Sequence, residues 1–192
     1  DVIIHATILA KSGERMSKSL GTGVNPMTLI EKYGADATRF GLIWQAMGGQ
    51  DIHWAEEHVV AGKKFANKIW NASRFVLAKT ENSNWQADVS NSEIIKKLNE
   101  TSKKVGELIN QYDFGQALHE LYEFFWHEFC DKYLEEVKKD GSEETKATLL
   151  YVLTSSLKLL HPFMPFVTEE IWEHIPKERA GKLLMIEEWP KL

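Results

Sequence analysis

The chain has 192 residues, 43% of them hydrophobic and 27% charged, which is typical of a folded globular protein and excludes a disordered one. Its single cysteine excludes an internal disulfide bond, no Cys/His cluster has zinc-site spacing, and no apolar run reaches the roughly 20 residues of a membrane span. We therefore expect one domain or two small ones in the reducing cytoplasm, with no metal site and no membrane contact.

The net charge of −5 disfavours a nucleic-acid partner, because phosphate binding depends on Lys and Arg. The charge is unevenly distributed, however. Residues 1–75 hold nine Lys/Arg and seven Asp/Glu, a net of +2, whereas the remainder holds 14 basic and 21 acidic side chains, a net of −7. The first third of the chain is therefore the part better suited to face an anion.

A β-branched, apolar run at 2–9 predicts a buried strand, and the lack of an initiator Met before it indicates a piece cut from a longer protein. The polar, Gly/Ser-rich stretch 11–25 predicts a loop. Asn25 before Pro26 predicts a helix N-cap followed by proline at the first helical position, where its missing N–H costs nothing. That helix is expected to end at Gly34.

Asp36 predicts the cap of a second short helix, which runs to about Met47 before two glycines break the pattern. Residues 50–54 are expected to form a short edge strand.

From Ala55 onward the pattern changes to long amphipathic helices. The first continues to about Lys79, and a polar connection follows at 81–91. Further helices are expected to begin at Ser92, Asp113, Ser142 and Pro165. The apolar stretch 183–186 predicts a strand or a packed arm. The fold class is therefore mainly α, with a small α/β segment followed by an up-and-down helical bundle.

The loop between Gly13 and Gly23 is the first candidate site, because it sets two cations among glycines and hydroxyls. Glycines let the backbone approach a polyanion closely. A Lys18 ammonium can neutralise the charge that builds up on a leaving pyrophosphate, and Met16 can anchor the loop. The hydroxyls belong to Ser17, Ser19 and Thr22. Composition alone nevertheless favours an ordinary solvated loop.

The order of the residues favours a specific chemistry. Arg15-Met16-Ser17-Lys18-Ser19 resembles the KMSKS signature of class I aminoacyl-tRNA synthetases, with arginine at its first position. Residues 30–40 are similar to the segment that follows this signature in the valine, isoleucine, leucine and methionine enzymes. Four later segments look most like the valine-specific branch, namely 49–52, 65–75, 129–134 and 161–172.

The resemblance implies that Lys18 is the catalytic residue and stabilises the ATP phosphates during amino-acid activation. It implies that Arg15 assists, that Ser17 and Ser19 shape the loop, and that Met16 completes the ATP site. The guanidinium fork of Arg15 differs from an ammonium, so the change from the usual lysine is not neutral. For the full-length ligase the resemblance also implies ATP with Mg²⁺, valine and the valine tRNA as ligands, and a monomer.

The same resemblance implies three parts. These are the end of a catalytic domain with a stem-contact fold over 1–60, a helical class Ia anticodon-binding domain over 61–175, and a C-terminal arm over 176–192. The family's other ATP signature, HIGH, belongs to a nucleotide-binding fold that the sequence lacks. Because activation needs both signatures around one ATP, this chain alone is predicted to be inactive.

The first long helix carries the second candidate site, a face suited to tRNA. Basic and amide side chains share this face in two overlapping rows, which are Lys64, Lys68 and Asn71, and then Asn67, Asn71 and Arg74. Amide and guanidinium groups can read unstacked anticodon bases, and a tryptophan can stack on them. The tryptophans in question are Trp70 and Trp126, for which a place in the core is the simpler interpretation.

Two alternatives remain. The first is the isoleucine or leucine counterpart, against which the segment 49–54 favours valine. The second is a non-catalytic tRNA-binding module that kept the bundle. Among the remaining residues, Cys130 is expected to be a small buried hydrophobe and His161 a helix-end residue rather than a ligand.

Overall fold

A computed structural model describes residues 6–48, 50–81, 83, 89, 92–176 and 183–190. Helices dominate these residues, and the sheet among them has two short strands. The prediction of a mainly α protein with a small α/β start is therefore confirmed.

The small sheet joins the beginning of the chain to the segment before the long helices. Strand β1 (Ile8–Leu9) pairs in parallel with strand β2 (Ile52–His53), which confirms the edge strand predicted within 50–54. The strand predicted at 2–9 is shorter than expected, and its residues 2–5 lie outside the described part of the chain. β1 is half-buried rather than buried, because β2 is its one strand partner within the described residues.

Helix α1 (Pro26–Tyr33) begins as predicted. The Asn25 side chain accepts the Met27 N–H at 3.0 Å and so satisfies one of the free donors of the first turn. The helix ends at Gly34, whose φ of 93° lies in the region that favours glycine.

Helix α2 (Ala35–Trp44) begins one residue before its predicted cap and ends before Met47. The prediction that Asp36 caps this helix is wrong. Its carboxylate accepts the backbone N–H groups of Phe166 and Val167 instead, at the start of a helix far along the chain. No local pattern shows that a buried carboxylate will find donors at such a sequence separation.

Helix α3 (Glu56–Lys79) crosses α2 at close range. The helix is amphipathic, as predicted, and its buried stripe consists of Val59, Phe65, Ile69, Ala72 and Val76. Glycines make the crossing possible: a Cβ on Gly41 would lie 2.6 Å from the Val59 side chain, and one on Gly62 would lie 2.8 Å from the Ala37 carbonyl oxygen. The two helices therefore pack backbone to backbone where these glycines meet them.

Helix α4 (Glu93–Asn110) has Ser92 at its N-cap, as predicted, but the cap works differently. The Ser92 hydroxyl makes no cap bond, and its backbone carbonyl accepts from Ile95 and Lys96 instead. The position of the helix start is thus correct, and the expected side-chain bond is absent.

Helix α5 (Phe114–Tyr122) begins at the predicted cap, because the Asp113 carboxylate accepts the Gln116 N–H at 3.3 Å. The chain then continues as a π-helical segment (Glu123–Tyr133) and a short helix α6 (Leu134–Glu136). The helix predicted to begin at Asp113 is therefore not a single continuous α-helix.

The π-helical winding follows from which side chains must be buried. Two adjacent pairs, Phe124 with Phe125 and Phe129 with Cys130, all lie in the core. The pairs recur after five residues, which matches the i to i+5 spacing of a π-helix. The expectation that Cys130 is a buried hydrophobe is confirmed.

Helix α7 (Glu143–Leu160) begins at its predicted cap, where the Ser142 hydroxyl accepts the Thr145 N–H at 3.3 Å. His161 ends it, as predicted, and the short helix α8 (Pro165–Glu173) follows after a corner.

The end of the described chain packs against α8. Residues 183–186 are not a strand, since Leu184–Ile186 form a 3₁₀ turn. The Glu169 carboxylate accepts the backbone N–H groups of Leu184 and Met185, at 2.7 and 3.2 Å. The alternative of a packed arm is therefore the correct one.

One continuous hydrophobic core lies between α3, α4, α5, the π-helical segment, α7 and α8. Its largest fully buried side chains include Trp172, Phe65, Phe125 and Phe129. Phe40 of α2 belongs to the same cluster, so the small α/β start is built onto the bundle.

Candidate functional site

The loop after β1 is held close to the strand by a tight turn. The Ala10 N–H donates to the Glu14 carbonyl and the Gly13 N–H to the Ala10 carbonyl, both at 2.8 Å. An antiparallel bridge then pairs Leu9 with Arg15. These contacts fix the backbone of Arg15, the first cation of the signature, beside the sheet, and its side chain is exposed.

A second turn closes the signature into a ring. The Ser17 N–H donates to the Thr22 hydroxyl at 3.0 Å, and the Thr22 N–H returns a bond to the Ser17 carbonyl at 3.2 Å. Within the ring the Gly21 N–H donates to the Lys18 carbonyl at 3.2 Å, and the Ser17 and Ser19 hydroxyls lie 2.8 Å apart. Thr22 therefore shapes the loop, a role that the motif alone did not assign to it.

A cleft of about 520 Å³ opens beside this ring. Its lining consists of Met16, Ser17, Lys18, Gly21, Gly23, Val24, Asn25 and Pro26. Arg15 and Lys18 are exposed, and neither forms an ion pair within the described part of the chain. Two uncompensated cations beside hydroxyls and a small cleft suit a polyphosphate group.

The outer face of α3 is the second candidate site. Four of the five side chains in the predicted rows are exposed and make no hydrogen bond or ion pair with other described residues. They are Lys64, Asn67, Asn71 and Arg74. Lys68 differs, because its ammonium lies 2.7 Å from Asp131 of the π-helical segment and 5.1 Å above the Trp126 ring. This contact lowers the pKa of the Asp131 carboxyl below its ordinary value. Of the side chains in the predicted rows, Lys68 is thus paired within the protein, and the other four have no hydrogen-bond or ion-pair partner among the described residues.

A cavity of about 570 Å³ lies between α3 and α8, which we call the α3–α8 cavity. Its lining consists of Trp70, Asn71, Ser73, Arg74, Phe75, Leu77, Ala78, Ile171 and His174. The rings of Trp70 and His174 meet edge to face with centroids 6.1 Å apart. The Ser73 hydroxyl is buried and has no hydrogen-bond partner among the described residues. Its oxygen is closed off from the cavity by the surrounding atoms, so the unpaired hydroxyl costs stability and is not available to a ligand.

The two predicted stacking tryptophans have different surroundings. Trp126 is half-buried and packs on Tyr122, with centroids 5.2 Å apart and an interplanar angle of 27°. Trp70 is also half-buried, but it lines the α3–α8 cavity. Neither is a fully buried core residue, and Trp70 is the one beside Asn71 and Arg74.

Sequence reasoning missed the contribution of α8 to this site. Ile171 and His174 line the cavity, although they lie about a hundred residues from α3 in the chain. No local signal in the sequence links His174 to Trp70. Ser73 was also missed, because a serine on an inner helix face carries no mark of being unpaired.

Comparison with known proteins adds an independent observation. Residues 91–192, more than half of the chain, match the family described as the anticodon-binding domain of tRNA ligase. The chain belongs to this family. Residues 1–55 match a second family, the class I tRNA synthetases for I, L, M and V, which agrees with the signature at Arg15–Ser19.

Curated relatives share the whole length of the chain. A "Valine--tRNA ligase" of Bacillus cereus is 44% identical over 99% of this chain, and the enzymes of that name from Bacillus subtilis and Listeria monocytogenes are 43% and 42% identical over 99% and 100% of it. The chain spans only 23% of the length of each of these relatives. The predicted resemblance to the valine branch of the class I synthetases is thus confirmed.

A solved structure shares the fold. The LeuRS of Agrobacterium radiobacter K84 agnB2, in a ternary complex with tRNA and LeuAMS, superposes with a TM-score of 0.77 at 23% identity. The match covers 97% of this chain and 24% of that one. Among the described residues of this chain, no helix combines the length and apolar character that crossing a membrane requires.

Proposed function

We propose that this chain is the part of a valine-specific aminoacyl-tRNA synthetase that carries the ATP-phosphate loop and the anticodon-binding bundle. The full-length enzyme attaches valine to its tRNA at the expense of ATP. Identity of 42% to 44% with valine enzymes over the whole chain supports this assignment. We place the full-length protein in the cytoplasm as a monomer, with a division of this part at 1–60, 61–175 and 176–192.

The loop is proposed to hold the ATP phosphates. Lys18 would be the catalytic cation and Arg15 its assistant, because both are exposed and uncompensated within the described chain. The hydroxyls of Ser17, which lines the cleft, and Ser19 lie 2.8 Å apart, and each can donate to a phosphate oxygen or accept from a Mg²⁺-bound water. ATP with Mg²⁺ would supply the adenylyl group that the valine carboxylate takes up, with pyrophosphate as the leaving group, and the loop would contribute positioning and positive charge beside the pyrophosphate.

The α3–α8 cavity is proposed to receive an unstacked anticodon base. The observation that carries this proposal is the grouping of Trp70, Asn71 and Arg74 along the cavity, with the Trp70 ring half-buried and the Asn71 and Arg74 side chains exposed. An aromatic ring offers stacking, and the amide and guanidinium groups offer hydrogen bonds to base edges. Asn67 and Lys64 are exposed one and two turns before Asn71 on α3, and they would contact the neighbouring phosphates.

The test is titration of this chain with a hairpin RNA that carries the valine anticodon loop. Arg74→Ala removes one positive charge and one base donor, and we expect it to weaken binding by about tenfold or more. Lys103→Ala on α4 removes the same charge from an exposed position away from the cavity, and it serves as the matched control. An equal loss of affinity in both variants would mean that RNA binding depends on overall charge and not on the cavity, and it would refute the proposal.

Specificity is tested with hairpins that carry the isoleucine and leucine anticodons. We expect the valine hairpin to bind more tightly than either, with an affinity that falls as salt rises. Equal affinity for all three would favour a non-selective RNA-binding module. In the same preparation, valine-dependent exchange between ATP and pyrophosphate should stay at the blank level, because one half of the proposed ATP site is not in this chain.

A further inference from the structure

Two residues of α2 hold the corner between α7 and α8. The Asp36 carboxylate accepts the N–H groups of Phe166 at 3.2 Å and Val167 at 2.6 Å. One turn later on α2, the Arg39 guanidinium donates to the carbonyls of Pro162 at 2.8 Å and Phe163 at 3.2 Å. The carboxylate thus meets the N–H end of α8, and the guanidinium meets the carbonyls that precede it.

Helix α8 has no cap of its own. Its N-cap residue is Met164, whose side chain makes no cap bond, and Pro165 occupies the first helical position without an N–H. The next two N–H groups are those that Asp36 accepts. A negative charge at this end also interacts favourably with the positive, N-terminal end of the helix dipole. The start of α8 is therefore fixed from α2, not from its own sequence.

The other end of α8 forms a wall of the α3–α8 cavity. Ile171 and His174 face Trp70 and Arg74 across it. A nine-residue helix moves nearly as a rigid rod, so a shift at its first turn displaces the cavity wall near its last. The contacts of Asp36 and Arg39, together with the burial of Ile171 in the core, therefore hold α8 beside a cavity that neither α2 residue lines.

We propose that Asp36 and Arg39 are positioning residues for base recognition, which act by fixing α8 against α3. The inference rests on the proposed function of the α3–α8 cavity. Asp36 and Arg39 lie on α2, which follows the signature loop and α1 in the chain. Helix α2 is therefore connected through the chain to the loop and through these contacts to α8. Removing either contact leaves the cavity-lining side chains present and misplaces one wall.

The experiment measures affinity of this chain for the valine anticodon hairpin. Asp36→Asn keeps the shape and loses the second acceptor, and we expect a loss of roughly five- to tenfold in affinity. Arg39→Ala changes an exposed side chain, so its product should fold even if the buried substitution does not, and it should show a loss in the same direction. Asp113→Asn is the matched control, because it makes the same change at the cap of α5.

Coupling distinguishes positioning from general destabilisation. Asp36 and Arg74 do not touch, so independent effects would add in the double variant. We expect the loss from Asp36→Asn to shrink markedly when Arg74→Ala is already present, since both act on one cavity. Additive losses of affinity in the double variant would overturn the proposal. So would a loss of affinity in Asp113→Asn that matches the loss in Asp36→Asn when the two variants have the same decrease in melting temperature. If Arg74→Ala alone has no effect, the proposed function of the cavity fails instead.

Discussion

Lys68 of α3 and Asp131 of the π-helical segment form an ion pair, with Nζ 2.7 Å from Oδ1. The pair ties two helices together at the edge of the core, and the same ammonium lies above the Trp126 ring. Both side chains are about a third or more exposed, at 31% and 43%. Lys68 therefore stabilises the packing of α3 against the π-helical segment, in addition to the RNA contact predicted for it.

The first prediction concerns this ion pair. Lys68→Ala should lower the free energy of unfolding by no more than about 1 kcal/mol, because partly exposed pairs are weakened by solvent. Its effect on hairpin affinity should be smaller than that of Arg74→Ala. Urea unfolding of the single and double Lys68/Asp131 alanine variants gives the coupling energy. A loss of affinity as large as that of Arg74→Ala would show that the ammonium leaves Asp131 to bind RNA.

The second prediction concerns the crossing of α2 and α3. Gly62→Ala adds a Cβ 2.8 Å from the Ala37 carbonyl oxygen and 2.9 Å from Phe40, so we expect it to destabilise the fold by about 1–3 kcal/mol. Gly106→Ala on α4 is the control, since among the described residues no atom outside the local helix backbone lies within 4 Å of the added Cβ. It should stabilise the chain by roughly 0.5–1 kcal/mol through helix propensity. Thermal unfolding of both variants tests this prediction, and equal changes in melting temperature would contradict the close crossing of α2 and α3.

The features that sequence could predict are those that depend on near neighbours. Asn25, Asp113 and Ser142 each accept a backbone N–H two or three residues ahead, and each was located from its residue type and position. The apolar stripe of α3 follows equally from spacing, because a helix repeats its faces at fixed intervals. The signature loop was found from the order of its residues, and its ring is also local, because it spans only the six residues from Ser17 to Thr22.

The missed features depend on distant parts of the chain. Asp36 looks like a local cap, yet its donors lie about 130 positions away. The wall that α8 contributes to the cavity, with His174 facing Trp70, is likewise a tertiary fact. The π-helical segment arises from the burial of adjacent pairs around Phe125 and Phe129, which an α-helical periodicity does not anticipate. Tertiary packing decides these cases after local preference has been satisfied.

The third prediction concerns Cys130. Burial raises the pKa of its thiol to about 12, and the side chain is only 6% exposed. Because the thiolate is the reactive form, alkylation by iodoacetamide at about pH 8 should be very slow in the folded chain. The reaction should become fast in denaturant, where the thiol returns to its ordinary range. Rapid labelling without denaturant, measured by mass spectrometry, would contradict the buried position.

The fourth prediction concerns pH. Burial lowers the pKa of His161 below its ordinary value, against the opposing effects of Glu169 and Asp36. A lowered pKa means that the folded state prefers the neutral imidazole, so this contribution to stability is present above the ordinary pKa and is lost as pH falls through the folded pKa. His161→Asn removes that dependence. The gap in melting temperature between the native chain and the variant should therefore shift in favour of the variant as pH is lowered, and a constant gap would refute it.

The fifth prediction concerns the ring that closes the signature loop. The Thr22 hydroxyl is the acceptor for the Ser17 N–H, so Thr22→Val keeps the shape of the side chain and removes the bond. Hydrogen exchange at the Ser17 amide should become faster by about fivefold or more, because a net hydrogen bond of about 1 kcal/mol is lost. Thr22→Ser restores an acceptor and should restore protection.

The same substitution also tests the proposed role of the loop. In the full-length synthetase, Thr22→Val should reduce valine-dependent exchange between ATP and pyrophosphate, because Lys18 sits within the ring and depends on it for its position. The effect should be smaller than that of Lys18→Ala, which removes the cation itself. Binding of the anticodon hairpin should not change, since the cavity lies between α3 and α8. Equal loss of exchange and of RNA binding would mean that the ring supports the fold as a whole and has no specific part in the ATP site.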